Sequence, residues 1–214
     1  MKAKNLAIEG AAEAMVDAGI KMPVETIISK VEDLYRKYGW EDQRIFERFL
    51  KKEYGSVDYE VLGCAIAEYK KRKTGLIVTY PMVRKTLIEL IRMGMKLGLL
   101  SDAPRIPLYT RVAELKLNKY FNNIVSSEDV DGKRKPDPAP FLKICEVMKL
   151  KPKQCVMVGD WEERDMVGAK NVGMTTVYAA YGSEWDVEKS VADFTLNNNI
   201  HEIINIIKKL NKRK

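Results

Sequence analysis

The sequence predicts an α/β fold: a parallel β-sheet flanked by helices, preceded by a small all-helical domain. Three observations carry the prediction. From residue 76 onward, short apolar runs alternate with segments of helical periodicity, and that alternation implies parallel strands joined by crossover helices. In residues 1–73 no such run occurs, and the apolar residues fall at helical spacing. Between the two lies Lys70-Lys71-Arg72-Lys73-Thr74-Gly75, a charged helix end followed by a breaker, which suits a connector. The expected division is therefore a helical domain over residues 1–75 and an α/β domain over residues 76–214.

In the first domain, Ile8, Ala11, Ala12 and Met15 make one helical face, and Gly19 is a stop. Pro23 suits the first position of a helix carrying Val24, Ile27, Ile28, Val31, Leu34 and Tyr38. Asp42 suits the N-cap of a third helix with Phe46, Phe49 and Leu50 inward, and Asp58 that of a fourth with Leu62, Ala65, Ile66 and Tyr69. Four short-looped helices make a bundle. Its aromatics (Tyr35, Tyr38, Trp40, Phe46, Phe49, Tyr54) are expected in its core.

In the second domain, Pro81 opens a helix with Val83, Leu87, Leu90 and Ile91 inward, and residues 95–100 form a short strand. A helix through 109–117 leads to a strand at 123–126 and a polar loop at 128–137. A helix with Phe141, Ile144, Cys145 and Met148 on one face precedes a strand at 155–158, read as buried. A helix with Met166, Ala169 and Val172, strands at 175–178 and 192–196, and a terminal helix with Ile200, Ile203, Ile204, Ile207 and Leu210 complete the pattern.

Composition excludes several classes. No apolar run approaches the roughly 18 residues of a membrane span, and Met1 opens no signal-peptide pattern. Cys64, Cys145 and Cys155 have no metal-type spacing and fall in apolar patterns, so buried reduced thiols in a cytoplasmic protein are expected. Of the net charge of +7, five positive charges come from Lys208, Lys209, Lys212, Arg213 and Lys214. The basicity is thus a terminal tail and not a face; no nucleic-acid partner is expected, the alternative being polyanion binding by that tail. The single histidine, His201, near the start of the terminal helix, is expected at the surface or as a cap, which removes histidine-based hydrolase triads. Asp186, Glu188 and Asp193 read as solvated loop charges.

The chemistry-bearing residues gather at strand ends, where open α/β sheets bind ligands. Ser101-Asp102 follows the first strand, Lys135-Pro136-Asp137-Pro138 precedes a helix, and Gly159-Asp160 with Asp165 follows the third strand. A hydroxyl and a lysine suit a phosphate oxyanion. A carboxylate pair suits a hard divalent cation, most simply Mg²⁺.

On these residues the chain resembles the haloacid-dehalogenase-like hydrolases, a Rossmann-like family mostly of Mg²⁺-dependent phosphatases. Leu99-Leu100-Ser101-Asp102 is similar to the family's second motif, whose hydroxyl binds the transferring phosphoryl group. Lys133-Arg134-Lys135-Pro136-Asp137-Pro138 is similar to the third, with Lys135 at the lysine that stabilises the phospho-enzyme. Val158-Gly159-Asp160-Trp161-Glu162-Glu163-Arg164-Asp165 resembles the fourth, implying Asp160 and Asp165 for the metal. The resemblance implies catalytic roles for Lys135, Ser101 and Asp160, and substrate contacts from Ser101, Asp102 and Lys135. It implies a small phosphorylated metabolite as substrate, and residues 1–75 as a helical cap. Trp161 replaces the small polar residue common at its position, where it narrows the pocket or packs against the cap.

One departure is large. The family's first motif, Asp-x-Asp-x-Thr, supplies the nucleophile and the general acid/base from a central first strand. It is absent from these 214 residues. Its strand belongs between the strands at 95–100 and 155–158. Leaving it out of a closed core would strand backbone groups at roughly 1–3 kcal/mol each, against a total stability of about 5–15 kcal/mol. Two expectations follow: the native polypeptide starts upstream of Met1 and this chain is a shortened version, or the chain is a non-catalytic relative that binds phosphate and metal. Oligomeric state is not legible in the sequence.

Overall fold

The computed structural model describes residues 2–73, 77–184 and 187–211, with the side chains of residues 2–4 left aside. Thr74, Gly75, Leu76, Asp186 and the end of the basic tail lie outside the described residues. The chain forms two compact units, Met1–Val78 and Thr79–Lys214.

The first unit holds α1 (Lys2–Asp17), α2 (Val24–Tyr38), α3 (Ile45–Tyr54) and α4 (Tyr59–Lys73). Each turns one apolar stripe inward, and Ile8, Met15, Ile27, Val31, Phe49 and Leu50 are fully or almost fully buried together. Asp58 caps α4 by accepting from the N–H groups of Glu60 and Val61 at 2.9 and 3.2 Å. Asp42 does not cap α3: it closes the preceding turn through the Arg44 N–H at 2.7 Å and pairs with Arg48 at 3.0 Å, so the helix starts three residues later. Pro23 is the N-cap residue of α2, one place before its expected position. Tyr35 stacks on Trp40 with ring centres 5.1 Å apart, but Tyr54 is exposed. Cys64 is exposed as well, since its helical spacing places it on the outer side of α4.

The second unit runs α5 (Val83–Arg92), β1 (Gly98–Leu100), α6 (Arg105–Glu114), β2 (Asn123–Val125), α7 (Pro138–Met148) and β3 (Val156–Gly159). A π-helical turn at Glu162–Met166 leads into α8 (Val167–Asn171), then β4 (Thr175–Ala179), β5 (Phe194–Leu196) and α9 (Ile203–Asn211). All strand pairs are parallel. Pro81 lies in a turn before α5, with Met82 in the left-handed region at φ 67°.

The strands form two pieces, β1-β2 and β3-β4-β5, and among the described residues no strand lies between β1 and β3. The gap lies where the strand of the absent first motif was expected. Between the two facing edges runs a cavity of about 510 Å³ lined by apolar side chains of both strands and of α5, α7 and α9. The expectation of a buried third strand is corrected. Every residue of β3 is half-exposed, whereas β4, paired on both sides, is buried over four of its five residues. β1 and β3 each pair on one side only among the described residues, and their residues are partly exposed and not closed in the core.

Candidate functional site

The site lies within the second unit, where the ends of β1 and β3 meet the loop before α7. Gly159 ends β3 because nothing larger fits: a Cβ there would sit 2.5 Å from Asp165 Oδ2 and 2.6 Å from Asp165 Cγ. The π-helical turn folds the chain back so that the Trp161 N–H donates to Asp165 Oδ2 at 3.2 Å. The other oxygen, Asp165 Oδ1, accepts from Lys135 Nζ at 2.6 Å. This pair is largely shut away from water, with side-chain exposures of 13% and 5% for Lys135 and Asp165.

The Lys135 loop is held from three sides. Its backbone N–H donates to Asp102 Oδ1 at 3.0 Å, and its carbonyl accepts from Arg164 Nε at 3.0 Å. Arg164 also reaches Asp102 Oδ2 at 3.5 Å and lies over the Trp161 ring, 4.8 Å from its centre. Asp137 caps α7 through the Ala139 N–H at 2.8 Å, fixing where the loop becomes helix. The Lys135-Pro136 bond is cis. Gly168 of α8 lies where a Cβ would approach Phe141 and, at 3.0 Å, the Pro136 Cα, so the loop and α8 are closely packed.

Ser101 Oγ accepts from the Ala103 N–H at 3.2 Å, which leaves its hydroxyl proton to donate elsewhere. Asp160 opens to solvent at the end of β3. The protein around its carboxyl removes part of its hydration and the Asp165 carboxylate repels it, with a smaller opposing pull from Lys135; its affinity for a proton is raised above the ordinary aspartate value.

Asp102, Lys135 and Asp165 are therefore joined by contacts through Lys135 and Arg164, Ser101 adjoins Asp102 in the chain, and Asp160 lies close enough for Asp165 and Lys135 to act on its carboxyl. Asp102 turns both oxygens to the protein and not outward. Arg164, which ties Asp102 to Lys135, was missed by the sequence reading; its signal was a lone cation inside an acidic run. Among the described residues no three His, Cys, Asp or Glu side chains cluster as a metal site. The donor set is the solvent-facing Asp160 carboxylate and Asp165, whose two oxygens already accept from Lys135 and from the Trp161 N–H; it suits Mg²⁺, which takes one or two protein carboxylates and completes its shell with water and phosphate oxygens.

The only Asp-x-Asp pair in the sequence is Asp129-Val130-Asp131. Asp129 is consumed by Ser126 N–H and Oγ at 2.8 and 2.6 Å and by Arg105 at 2.7 Å, and Asp131 is an exposed left-handed residue, so neither is poised as a nucleophile. Asp193 is an exposed loop charge, as expected, but a bonded one: it accepts from Thr176 N–H and Oγ1 at 2.8 and 3.0 Å, pinning the loop before β5 to β4. His201 Nδ1 lies 3.1 Å from Thr86 Oγ1, and its Nε2 lies 3.6 Å from Glu89 on α5, a packing role outside the site.

The profile of haloacid dehalogenase-like hydrolases matches residues 17–179. A glyceraldehyde 3-phosphate phosphatase of Methanocaldococcus jannaschii is 30% identical over 203 residues, 94% of this chain and 88% of that protein. The enzyme of the same name from Pyrococcus furiosus is 30% identical over 198 residues, 91% of this chain and 82% of that protein. In fold, the chain is similar to a HAD phosphatase from Thermococcus onnurineus, with a TM-score of 0.70 at 24% identity over 94% of this chain and 88% of that one. The motif order, the parallel strands and the length of these matches agree: the chain belongs to the haloacid dehalogenase-like hydrolase family.

Proposed function

We propose that this protein is a phosphatase that acts on a small phosphomonoester with Mg²⁺, through an aspartyl-phosphate intermediate. The observation that carries the reading is the junction of the two strand ends: Lys135, positioned by Asp102 and Arg164, meets Asp165 at 2.6 Å beside the exposed Asp160 carboxylate. Glyceraldehyde 3-phosphate is the first substrate to try, because relatives covering most of the chain carry that name.

In this reading Ser101 donates its hydroxyl proton to one phosphoryl oxygen, and Lys135 places a fixed positive charge beside another. Asp160 and Asp165 would hold Mg²⁺, which when bound offsets the negative charge gathering on the phosphoryl oxygens. The protein's own task is positioning in a site arranged before substrate arrives. The attacking aspartate is not among the 214 residues, so catalysis requires a strand carrying it beside β1 and β3. Residues 1–75 are assigned as the cap that selects the substrate. The free state of the three cysteines supports the cytoplasmic setting.

The experiment joins a strand segment ending in Asp-x-Asp-x-Thr ahead of Met1 and measures phosphate release from a panel of phosphomonoesters. Release that is abolished by EDTA and strongly reduced in Lys135→Ala supports the reading. A folded fusion with no EDTA-sensitive release overturns it. The second reading is phosphate and metal binding without turnover. Mg²⁺-dependent phosphate release by the 214-residue chain itself would exclude it.

A further inference from the structure

We propose that Cys145 and Cys155 form a modification site, at which a hydroperoxide oxidises Cys155 and Cys145 then closes an intramolecular disulfide that a small thiol reopens. The proposal stands on the placement of the two thiols and does not depend on the phosphatase reading.

Helical spacing puts Cys145 of α7 on the inward face with Phe141 and Met148, and all three are buried. Cys155 follows a tight turn at Pro152–Gln154 and immediately precedes β3. Its backbone is fastened on both sides. The N–H donates to the Pro152 C=O at 2.9 Å, and the C=O accepts from the Thr175 N–H at 3.1 Å. Held there, the Cys155 sulfur lies 3.6 Å from the Cys145 sulfur, beside an apolar cluster of Phe141, Ala169 and Met174. Two thiols alone do not make a structural zinc site, which takes four ligands. Among the described residues no third His, Cys, Asp or Glu joins them. What two sulfurs in contact can do is bond to each other.

Their surroundings give them different tasks. Cys155 is half-buried and Cys145 is buried, so a dissolved oxidant meets Cys155 first. The Cys155 S–H donates to the Lys151 C=O at 3.6 Å, which leaves the Cys145 S–H to make the contact between the sulfurs. Burial and Cys155 push the Cys145 thiol up to about 12, so Cys145 keeps its proton until a leaving group takes it. In the first step the Cys155 thiolate attacks one peroxide oxygen. An S–O bond forms, the O–O bond breaks, and the departing oxygen takes up the proton that Cys155 released. In the second step the Cys145 sulfur attacks the sulfenic sulfur. The S–S bond forms, the S–O bond breaks, and the hydroxyl leaves as water with the Cys145 proton. The two thiols lose two electrons and the hydroperoxide gains them. The product ties α7, which begins after the Lys135 loop, to β3, which ends at Gly159.

The test treats the full reduced chain with hydrogen peroxide in the presence of dimedone, which caps sulfenic acids. Remaining thiols are alkylated in urea, and the protein is digested with trypsin without reductant. The expected product joins residues 144–149 to residues 154–164, two hydrogens lighter than the separate peptides, and comes apart in dithiothreitol. Exposed Cys64 on α4 is the internal control and takes dimedone. In Cys145→Ala, dimedone appears on Cys155. When the parent is oxidised in urea, the ratio of linked pair to capped Cys155 falls roughly tenfold or more, because the folded contact is lost. Capped Cys155 in the folded parent without the linked peptides overturns the proposal. So do free Cys145 and Cys155 where Cys64 is capped, an unchanged ratio in urea, or a bond that joins two chains on a non-reducing gel.

Discussion

The pair Lys135–Asp165 offers the sharpest energetic prediction. Its atoms are 2.6 Å apart, and both side chains are almost closed to water. Removing one member leaves the other charge buried and uncompensated, which costs about 3–5 kcal/mol. Removing both together spares that penalty, so Lys135→Met with Asp165→Leu should cost several kcal/mol less than the two single changes added. The Trp161 N–H and the tight fit over Gly159 still lose their partner, so the double variant remains below the parent. Urea unfolding of the four proteins, followed by tryptophan fluorescence, measures the cycle. Single changes below about 1 kcal/mol that simply add would mean a solvated pair of the surface kind.

Four further outcomes follow from particular contacts. Gly159→Ala places a Cβ 2.5 Å from Asp165 Oδ2 and should cost about 1–3 kcal/mol in urea unfolding while loosening the Lys135 contact. The Asp160 carboxyl is raised by lost hydration and by Asp165, so the folded state holds its proton more tightly than the unfolded one. Stability then falls as pH rises from the ordinary aspartate value through the raised one, and Asp160→Asn should be more stable than the parent at neutral pH but not at pH ~3. For Asp193, burial alone would raise the carboxyl, but hydrogen bonds from Thr176 and Lys170 outweigh it and hold it below the ordinary value. Its contribution is present above that value and lost as pH falls through the lowered one, so Asp193→Ala should cost about 1.5 kcal/mol at neutral pH and progressively less in acid. Burial and the neighbouring Cys155 push the Cys145 thiol up to about 12, so iodoacetamide should label exposed Cys64 in the native protein and leave Cys145 until unfolding, read by mass.

Much of the second unit was legible because its signals are local. A glycine-acid pair after an apolar run, a Lys-Pro before a helix and a Ser-Asp after a strand each mark a strand end. What periodicity could not show was which edges pair. The run at 95–100 shrinks to Gly98–Leu100 because β1 has a partner on one side over only that length. The run at 155–158 was read as buried from its composition, yet burial of a strand depends on its neighbours, and β3 has one. The bonds that tie the loop charge Asp193 to Thr176 were not legible, because the two lie 17 positions apart in the chain. Cys64 looked buried because its own neighbours are apolar, although its position on α4 turns it outward. The roles of Asp102 and Arg164 are contacts between loops far apart in sequence, and no local pattern announces them.

If the ends of β1 and β3 form a single site for a phosphoryl group and its metal, as proposed, the two ligands should bind together. Isothermal titration of inorganic phosphate into the 214-residue chain, with and without Mg²⁺, tests it most directly. Binding should require Mg²⁺, weaken at least tenfold in Ser101→Ala, and disappear in Asp160→Asn even though that variant stays folded. Phosphate binding that is indifferent to Mg²⁺ and unchanged in both variants would contradict it.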